Sequence, residues 1–342
     1  MKVLLGLSGG VDSAVAAHLL QKMGYGVTGA YLDMGYGSGE DAKKVAESLG
    51  IDFISIDAHA ELKTLVIEPF AQAYLKGETP NPCIICNPNV KFPALLRAAD
   101  ECGCDLVATG HYARVAKLGE RYALLRGREE NDQSYMLTGL TQKILSKCIF
   151  PLGALNKNQI RDIASELGLF VAAKPDSMEI CFIPNGNHGE FIERMYGGLP
   201  QGDIVDEEGK ILGKHKGIHH YTIGQRRGLG IAAGQRVFVS ELDVERNRVI
   251  LSHGDDLFVS EIFLPVINWI SSEPIKDMMR GQVRIRHSKA AADADIIPED
   301  SGLLIKFDKA VRAPTPGQMA AVYDNDVVLC AGRIEKISIG NR

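Results

Sequence analysis

The sequence predicts an α/β fold: an N-terminal domain on a parallel sheet, then a small central β-rich domain and a C-terminal β-barrel. Up to about Gly110, short apolar runs alternate with stretches of helical periodicity. Near residue 197, glycine and turn signals crowd the chain and helical periods become scarce. From about Val259 onward, short alternating strands recur: "QVRIRHS", "LLIKFD", "MAAVYD", "VVLCAGRIEKI". These shifts place the domains at 1–196, 197–257 and 258–342.

The elements of the first half follow in order. "KVLLGL" is a buried strand ending at glycines, and Val11 to Met23 carries apolar residues at helical spacing. "GVTGAYL" is a second strand, and Glu40 to Leu49 a helix stopped by Gly50. "DFISID" is a third strand and Leu62 to Leu75 a third helix. Val90 to Glu101 is helical, and "DLVATG" is a fourth strand. Strands alternating with helices imply a parallel sheet covered on both faces.

Composition narrows the function classes. The chain has 342 residues, 45% hydrophobic and 24% charged, which is globular and long enough for two or three domains. The longest apolar run, "FVSEIFLPVINWI", is broken by Glu261 and Pro265, so no membrane span of about 18 residues is expected. One lysine before "VLLGL" is too little for a signal peptide, and a cytoplasmic protein is expected. The net charge of -5 gives no global argument for nucleic acid, although a local basic face remains compatible with it. Seven cysteines, an odd number in such a chain, argue against a disulfide framework. They favour metal, redox or catalytic use of a few.

The turn "SGGVDS" follows the first strand and opens the first helix. It resembles a phosphate loop but has no lysine. Ser8, Gly9, Gly10 and Ser13 offer backbone N–H groups and hydroxyls to an anion, and the helix N-terminus adds partial positive charge. Asp12 would repel phosphates unless a cation bridges them, and Mg²⁺ does so. The residues therefore suggest ATP with Mg²⁺, held for release of pyrophosphate. The bland alternative is a turn capped by Ser8, with Asp12 complementing the helix dipole.

"TPNPCIICNPNVKF" holds Cys83 and Cys86 in a proline-rich loop before a helix. A C-x-x-C is a redox pair, half a zinc site, part of an iron–sulfur site, or two small buried residues. "ATGHYAR", "DQSYMLTGL", "KPDSMEICFIP" (with Cys181), "GIHHYTIGQRRGLGI" and "APTPGQMA" follow in order.

"SGGVDS" resembles the PP-loop of the N-type ATP pyrophosphatases, an adenine nucleotide alpha hydrolase-like fold. Together with the later motifs, the whole chain resembles the tRNA-specific 2-thiouridylases, which place sulfur on C2 of the wobble uridine (position 34). The resemblance implies ATP binding by Gly6, Leu7, Ser8, Gly9, Gly10, Val11, Asp12 and Ser13, with Leu32 and Gly110 in the same site. It implies Cys86 as nucleophile and Cys181 as persulfide carrier. Asn81, Pro82, Cys83, His111, Asn131, Asp132, Gln133, Arg286, His287 and Gln318 fall where the family contacts tRNA. It further implies glutamate, glutamine and lysine tRNAs as partners, and a sulfur-donor protein or sulfide. The central segment becomes a tRNA-binding linker, and a monomer is expected. The chemistry suits the residues: adenylation turns the uracil C2 oxygen into a leaving group, and a soft sulfur nucleophile then attacks C2.

Two departures stand out. Cys83 occupies a position where the family has aspartate, so three cysteines share the site. Cys83, Cys86 and Cys181 could hold a [4Fe–4S] cluster with one open iron, or Cys83 could be a spare thiol beside a persulfide route. Asn131 replaces a lysine before "DQS", which removes one phosphate contact. Cys102, Cys104, Cys148 and Cys330 read as buried packing. His215, His219 and His220 invite zinc, but no cysteine or carboxylate pattern accompanies them in sequence, so an RNA-facing or structural role is expected. Tyr221 with Lys216, Arg226 and Arg227 suits RNA contact. Two other functions are compatible with parts of the chain: a PP-loop ligase acting on a small metabolite, and a non-catalytic RNA-binding or iron–sulfur protein.

Overall fold

The computed structural model describes residues 1–338 except 129–130, 176–179, 184, 198, 232–233 and 288–289, without the side chains of 256, 336 and 338. The flanks of Cys181 in "KPDSMEICFIP" thus lie partly outside the described residues.

Strands β1 (Lys2–Gly6), β2 (Gly26–Asp33), β3 (Asp52–Asp57) and β4 (Leu106–Thr109) form where the apolar runs predict. A hairpin, β5 (Ala113–Leu118) and β6 (Arg121–Arg126), follows, then the short β7 (Cys148–Ile149). The first sheet has the order β3-β2-β1-β4-β7, every pair parallel. Helix α1 (Val11–Lys22) buries Val11, Ser13, Ala14, Val15, Ala16, Ala17 and Leu20, which leaves its C-terminal Gln21 and Lys22 exposed. Helix α2 (Glu40–Leu49) buries only Ala42, Val45 and Ala46 and ends on Gly50 in the left-handed conformation.

The third helical stretch is longer than its periodicity predicts. His59–Leu62 runs through a π-helical turn, Lys63–Ile67, into Glu68–Leu75. Pro82–Cys86 similarly passes through a π turn, Asn87–Lys91, into Phe92–Glu101. Such turns are frequent at functional sites.

The central sheet comprises β8 (Gly202–Asp206), β9 (Ile211–His215), β10 (Phe238–Asp243) and β11 (Arg248–Ser252), in the order β10-β11-β8-β9. The C-terminal, barrel-like sheet is antiparallel. It contains β12 (Phe258–Leu264), β13 (Ile267–Trp269), β14 (Met279–Arg284), β15 (Ala292–Glu299), β16 (Gly302–Arg312), β17 (Met319–Asp324), β18 (Val327–Arg333) and β19 (Lys336–Ser338). The hairpin β5–β6 joins this sheet, since Leu124 and Leu125 pair with Val328 and Val327. One apolar core accordingly runs from Leu4, Phe92 and Leu95 through Leu124 and Tyr135 to Tyr323, Val328 and Ala331. No local signature in the sequence announces this junction, because the paired residues Leu125 and Val327 lie far apart along the chain. Among the described residues, no helix is long and apolar enough to cross a membrane.

Candidate active site

A crevice of about 400 Å³ opens at the carboxyl ends of β1, β2 and β4. Strand order reverses between β1 and β4, and such a switch point leaves a gap between helices on opposite faces. Gly6, Leu7, Ser8, Asp12 and Ser13 line one wall, Ala30, Tyr31, Leu32 and Met34 a second, and Thr109, Gly110 and His111 a third. Lys91, Leu95 and Gln133 complete it.

Gly9, Gly10 and Val11 shape the turn without lining the crevice. Gly9 has φ +76°, and a Cβ there would lie 2.7 Å from the Ala42 backbone nitrogen, so only glycine fits. Gly10, not Ser8, occupies the N-cap of α1, and no side chain caps that helix. The Ser8 and Ser13 hydroxyls are 3.1 Å apart, and Ser13 Oγ donates to the Gly10 carbonyl at 3.1 Å. The first amides of α1 thus keep their freedom to meet an anion. A Cβ on Gly110 would come 3.1 Å from the Ser13 backbone nitrogen, so strand β4 and the turn approach as closely as backbone allows.

The cation missing from the loop arrives from elsewhere. Lys157, at the start of the helix Lys157–Glu166, reaches Asp12 with Nζ at 2.7 and 2.9 Å from the two carboxylate oxygens. Tyr112 donates its hydroxyl to Asp12 at 2.6 Å. Lys174 donates to the Gly9 carbonyl at 3.3 Å and pairs with Asp41 at 2.8 Å. Sequence reasoning missed both lysines, since Lys157 lies 145 residues from its partner.

Cys83 and Cys86 stand on the short helix Pro82–Cys86, which Asn81 caps by accepting from the amides of Cys83 and Ile84 at 3.1 and 3.4 Å. Cys86 is buried, while Cys83 and Cys181 keep exposed surface. Enough protein surrounds all three that desolvation raises their thiols above the ordinary range. Cys181 is pushed up to about 11, by burial first and then by Cys86 and Cys83. Lys91 opposes the rise at each of the three. The same lysine lines the crevice, so one ammonium serves both centres. It lies in the quoted "NVKF" stretch but did not enter the expected site set.

Family models match the chain in three consecutive blocks. A tRNA methyl transferase HUP domain matches residues 1–185, a tRNA methyl transferase PRC-barrel domain 189–253, and an aminomethyltransferase beta-barrel domain 259–334. Curated relatives match end to end. The tRNA-specific 2-thiouridylase MnmA of Clostridium acetobutylicum is 42% identical over 98% of this chain and 99% of its own. That of Clostridium beijerinckii is 42% identical over the same shares, and one from Clostridium botulinum 41% over 98% of both. The chain belongs to the tRNA-specific 2-thiouridylase family.

The residues expected to meet RNA in this family divide into two groups. His111 and Gln133 line the crevice. His111 accepts or donates at Nδ1 with the Thr109 hydroxyl, 2.7 Å away, and burial drives its pKa well below the usual histidine range. Asn131 is exposed, and Asn81 and Pro82 flank Cys83. The others are engaged within the protein. Asp132 is buried, pairs with Arg284 at 2.6 Å and accepts from Gly127, Ser134 and the Ser134 hydroxyl. Gln318 donates to the Thr79 carbonyl at 2.6 Å, and Arg286 to the Ile223 carbonyl at 3.1 Å and to Thr315. The carbonyl of His287 accepts from Arg284 at 2.5 Å. Of these contacts, Gln318 to Thr79 fastens the C-terminal sheet to the cysteine loop, while Arg284 ties it to Asp132 and Arg286 to the central segment at Ile223. Arg333 adds an ion pair with Glu78, and the Thr79 amide donates to the Pro316 carbonyl at 3.1 Å.

Other expectations need correction. Cys104, Cys148 and Cys330 are buried, but Cys102 is exposed. Tyr221 is only 5% exposed, so it packs in the central core and offers no ring to a base, although Arg226 and Arg227 are exposed. His215 is structural: Nδ1 accepts from the Gly217 amide at 3.1 Å and Nε2 faces the Asn247 carbonyl at 3.0 Å. Burial lowers His219 to about 4, leaving a neutral ring at physiological pH.

Proposed function

We propose that the protein is an ATP-dependent tRNA-uridine 2-sulfurtransferase acting on the wobble uridine. One observation carries the reading: Lys91 belongs at once to the crevice at the "SGGVDS" turn and to the surroundings of Cys83, Cys86 and Cys181. An adenylating centre and a sulfur centre therefore adjoin. Methyl transfer, which two of the family-model descriptions name, has no use for three thiols at a nucleotide crevice. A metabolite ligase or a non-catalytic RNA binder is not favoured by relatives that share the chain's whole length.

In this reading ATP lies with its phosphates on Ser8–Ser13 and its base toward Tyr31 and Leu32. The carboxylate of Asp12 suits Mg²⁺, which when bound shields the phosphate charge, with Lys157 alongside. The uridine C2 oxygen attacks the α-phosphorus, and pyrophosphate leaves. The terminal sulfur of a Cys181 persulfide then attacks C2, and AMP leaves with the oxygen. Cys86 thiolate attacks the Cys181 sulfur, forming a Cys86–Cys181 disulfide and leaving sulfur on C2. After a thiol reductant resets the pair, a persulfide-bearing donor protein passes its outer sulfur to the Cys181 thiolate; alternatively, sulfide attacks the Cys181 sulfur of the disulfide directly, giving the Cys181 persulfide and releasing the Cys86 thiolate. Lys91 favours the thiolates these steps require, against the burial that opposes them. The substrates are the glutamate, glutamine and lysine tRNAs. The enzyme acts as a monomer in the cytoplasm.

Cys83 supports a second reading. Cys181 feels the charges of both Cys86 and Cys83, so the three sulfurs form one electrostatically coupled donor set. Such a set suits a [4Fe–4S] cluster with one open iron. Iron and sulfide content after anaerobic reconstitution, with Mössbauer spectra of wild type and Cys83→Ala, separates the two. An iron-free wild type with full thiolation removes the cluster.

The function itself is tested with purified protein, ATP, tRNA transcript and a sulfur source. Pyrophosphate release that depends on tRNA, together with 2-thiouridine in the nucleoside digest, is expected. Pyrophosphate release without tRNA would return the ligase reading, and no ATP turnover the non-catalytic one.

A further inference from the structure

We propose that Glu193, His219 and His220 form a site for one Zn²⁺-class divalent cation, tying the helix His188–Tyr196 to the turn Ile218–His220. The carboxylate absent from the histidines' own stretch of sequence comes from that helix. One ligand atom from each residue lies within 4.8 Å of the others, the one such group among the described residues. Glu193 Oε1 is 2.9 Å from His220 Nε2 and 3.7 Å from His219 Nε2. Ligand atoms about 2.0–2.1 Å from a tetrahedral zinc stand about 3.4 Å apart, between those two values.

A second observation is independent of this spacing. His219 is 0% exposed, yet neither ring nitrogen has a hydrogen-bond partner. Buried polar atoms are almost always satisfied, as the neighbouring His215 is. A metal on Nε2 would satisfy one of the two. The rings are also seated for the task. A Cβ on Gly217 would fall 2.5 Å from His219 Cε1, and one on Gly189 would fall 2.0 Å from His220 Nδ1. Glycine at both positions lets each imidazole press against backbone while its Nε2 looks toward Glu193. Gly189 and Glu193 are four residues apart and so share a helix face.

Two imidazoles and a carboxylate suit zinc rather than magnesium or calcium, which prefer all-oxygen sets. Side chains of Glu193 and His220 are 34% and 16% exposed, which gives an entry path and room for water as fourth ligand. The consequence is positional. His188 stacks on Tyr74 at 4.4 Å, and Phe191 packs against Phe182 at 5.4 Å, next to Cys181. A metal here anchors the base of the segment that carries the sulfur.

The test uses the full chain with Cys83, Cys86 and Cys181 all changed to Ser, stripped with chelator and titrated with ZnCl2 and, separately, CoCl2. One tightly held zinc per chain is expected, with a four-coordinate cobalt spectrum free of thiolate-to-cobalt absorption. Glu193→Gln and His220→Ala should each weaken zinc binding at least tenfold. Glu193→Gln is isosteric and partly exposed, so it keeps the fold, which circular dichroism verifies. No stoichiometric zinc, thiolate absorption in the cobalt form, or undiminished affinity in either variant overturns the site.

Discussion

Gly9→Ala probes the turn on which the nucleotide reading depends. At φ +76° an alanine pays the left-handed penalty of about 1–2 kcal/mol. Its Cβ would also lie 2.7 Å from Ala42 N and 2.8 Å from Asp41 Cβ. Ala42 is fully buried in α2 and has nowhere to retreat, so overpacking adds about 1–3 kcal/mol. The sum is about 2–5 kcal/mol. Gly50→Ala is the control: φ is +62°, but no atom lies within 4 Å, so only the first term applies. The two variants should differ by about 1–3 kcal/mol, or about 2–12 °C in thermal midpoint for a domain of this size. Thermal unfolding followed by circular dichroism measures this, and calorimetric titration with ATP should show weakened binding for Gly9→Ala alone. Equal midpoints for the two variants would refute the close packing of the turn on α2.

Four further outcomes are expected. Cys86→Ser should abolish 2-thiouridine formation while leaving tRNA affinity within a few-fold, measured by nucleoside analysis and filter binding; undiminished product removes Cys86 from the mechanism. Alkylation of Cys181 by iodoacetamide should rise about tenfold per pH unit from pH 7 to 10, since a thiol at about 11 is protonated throughout that range; a plateau near pH 9 contradicts its burial. Lys91→Met should move the alkylation profiles of Cys83 and Cys86 to higher pH, because the lysine lowers both; unchanged profiles separate it from the thiols. Gln318→Ala removes a buried hydrogen bond to Thr79, costing about 1–3 kcal/mol, and should speed amide exchange at residues 78–83; unaltered exchange would show that the C-terminal sheet does not hold the cysteine loop.

Legibility in the sequence followed the range of the interactions. Strands β1 to β4 were readable because each is a short apolar run bounded by glycine or charge, and α2 because its periodicity and Gly50 are local. The turn at residues 8–13 was readable for the same reason. The pairing of β6 with β18 was not, since nothing in "RYALLR" announces a partner at Val327 and Val328. Tyr221 was misjudged because an aromatic beside arginines looks solvent-facing until the central sheet closes over it. Asp132 and Gln318, expected at RNA, also hold partners within the protein, Arg284 and Thr79, which no local pattern announces.

The sequence alone determined the class of fold, the anion-ready turn and the presence of three chemically distinctive cysteines. These are properties of neighbouring residues, set by hydrophobic period, glycine and helix N-terminus. Which charges face one another belonged to the tertiary structure. Folding brings Lys157 to Asp12, Lys91 between the crevice and the thiols, and Glu193 to His219 and His220. Electrostatic and ligand geometry depend on separations of a few ångströms between residues that chain order leaves far apart. Only the packing of sheets and helices around a common core sets those separations.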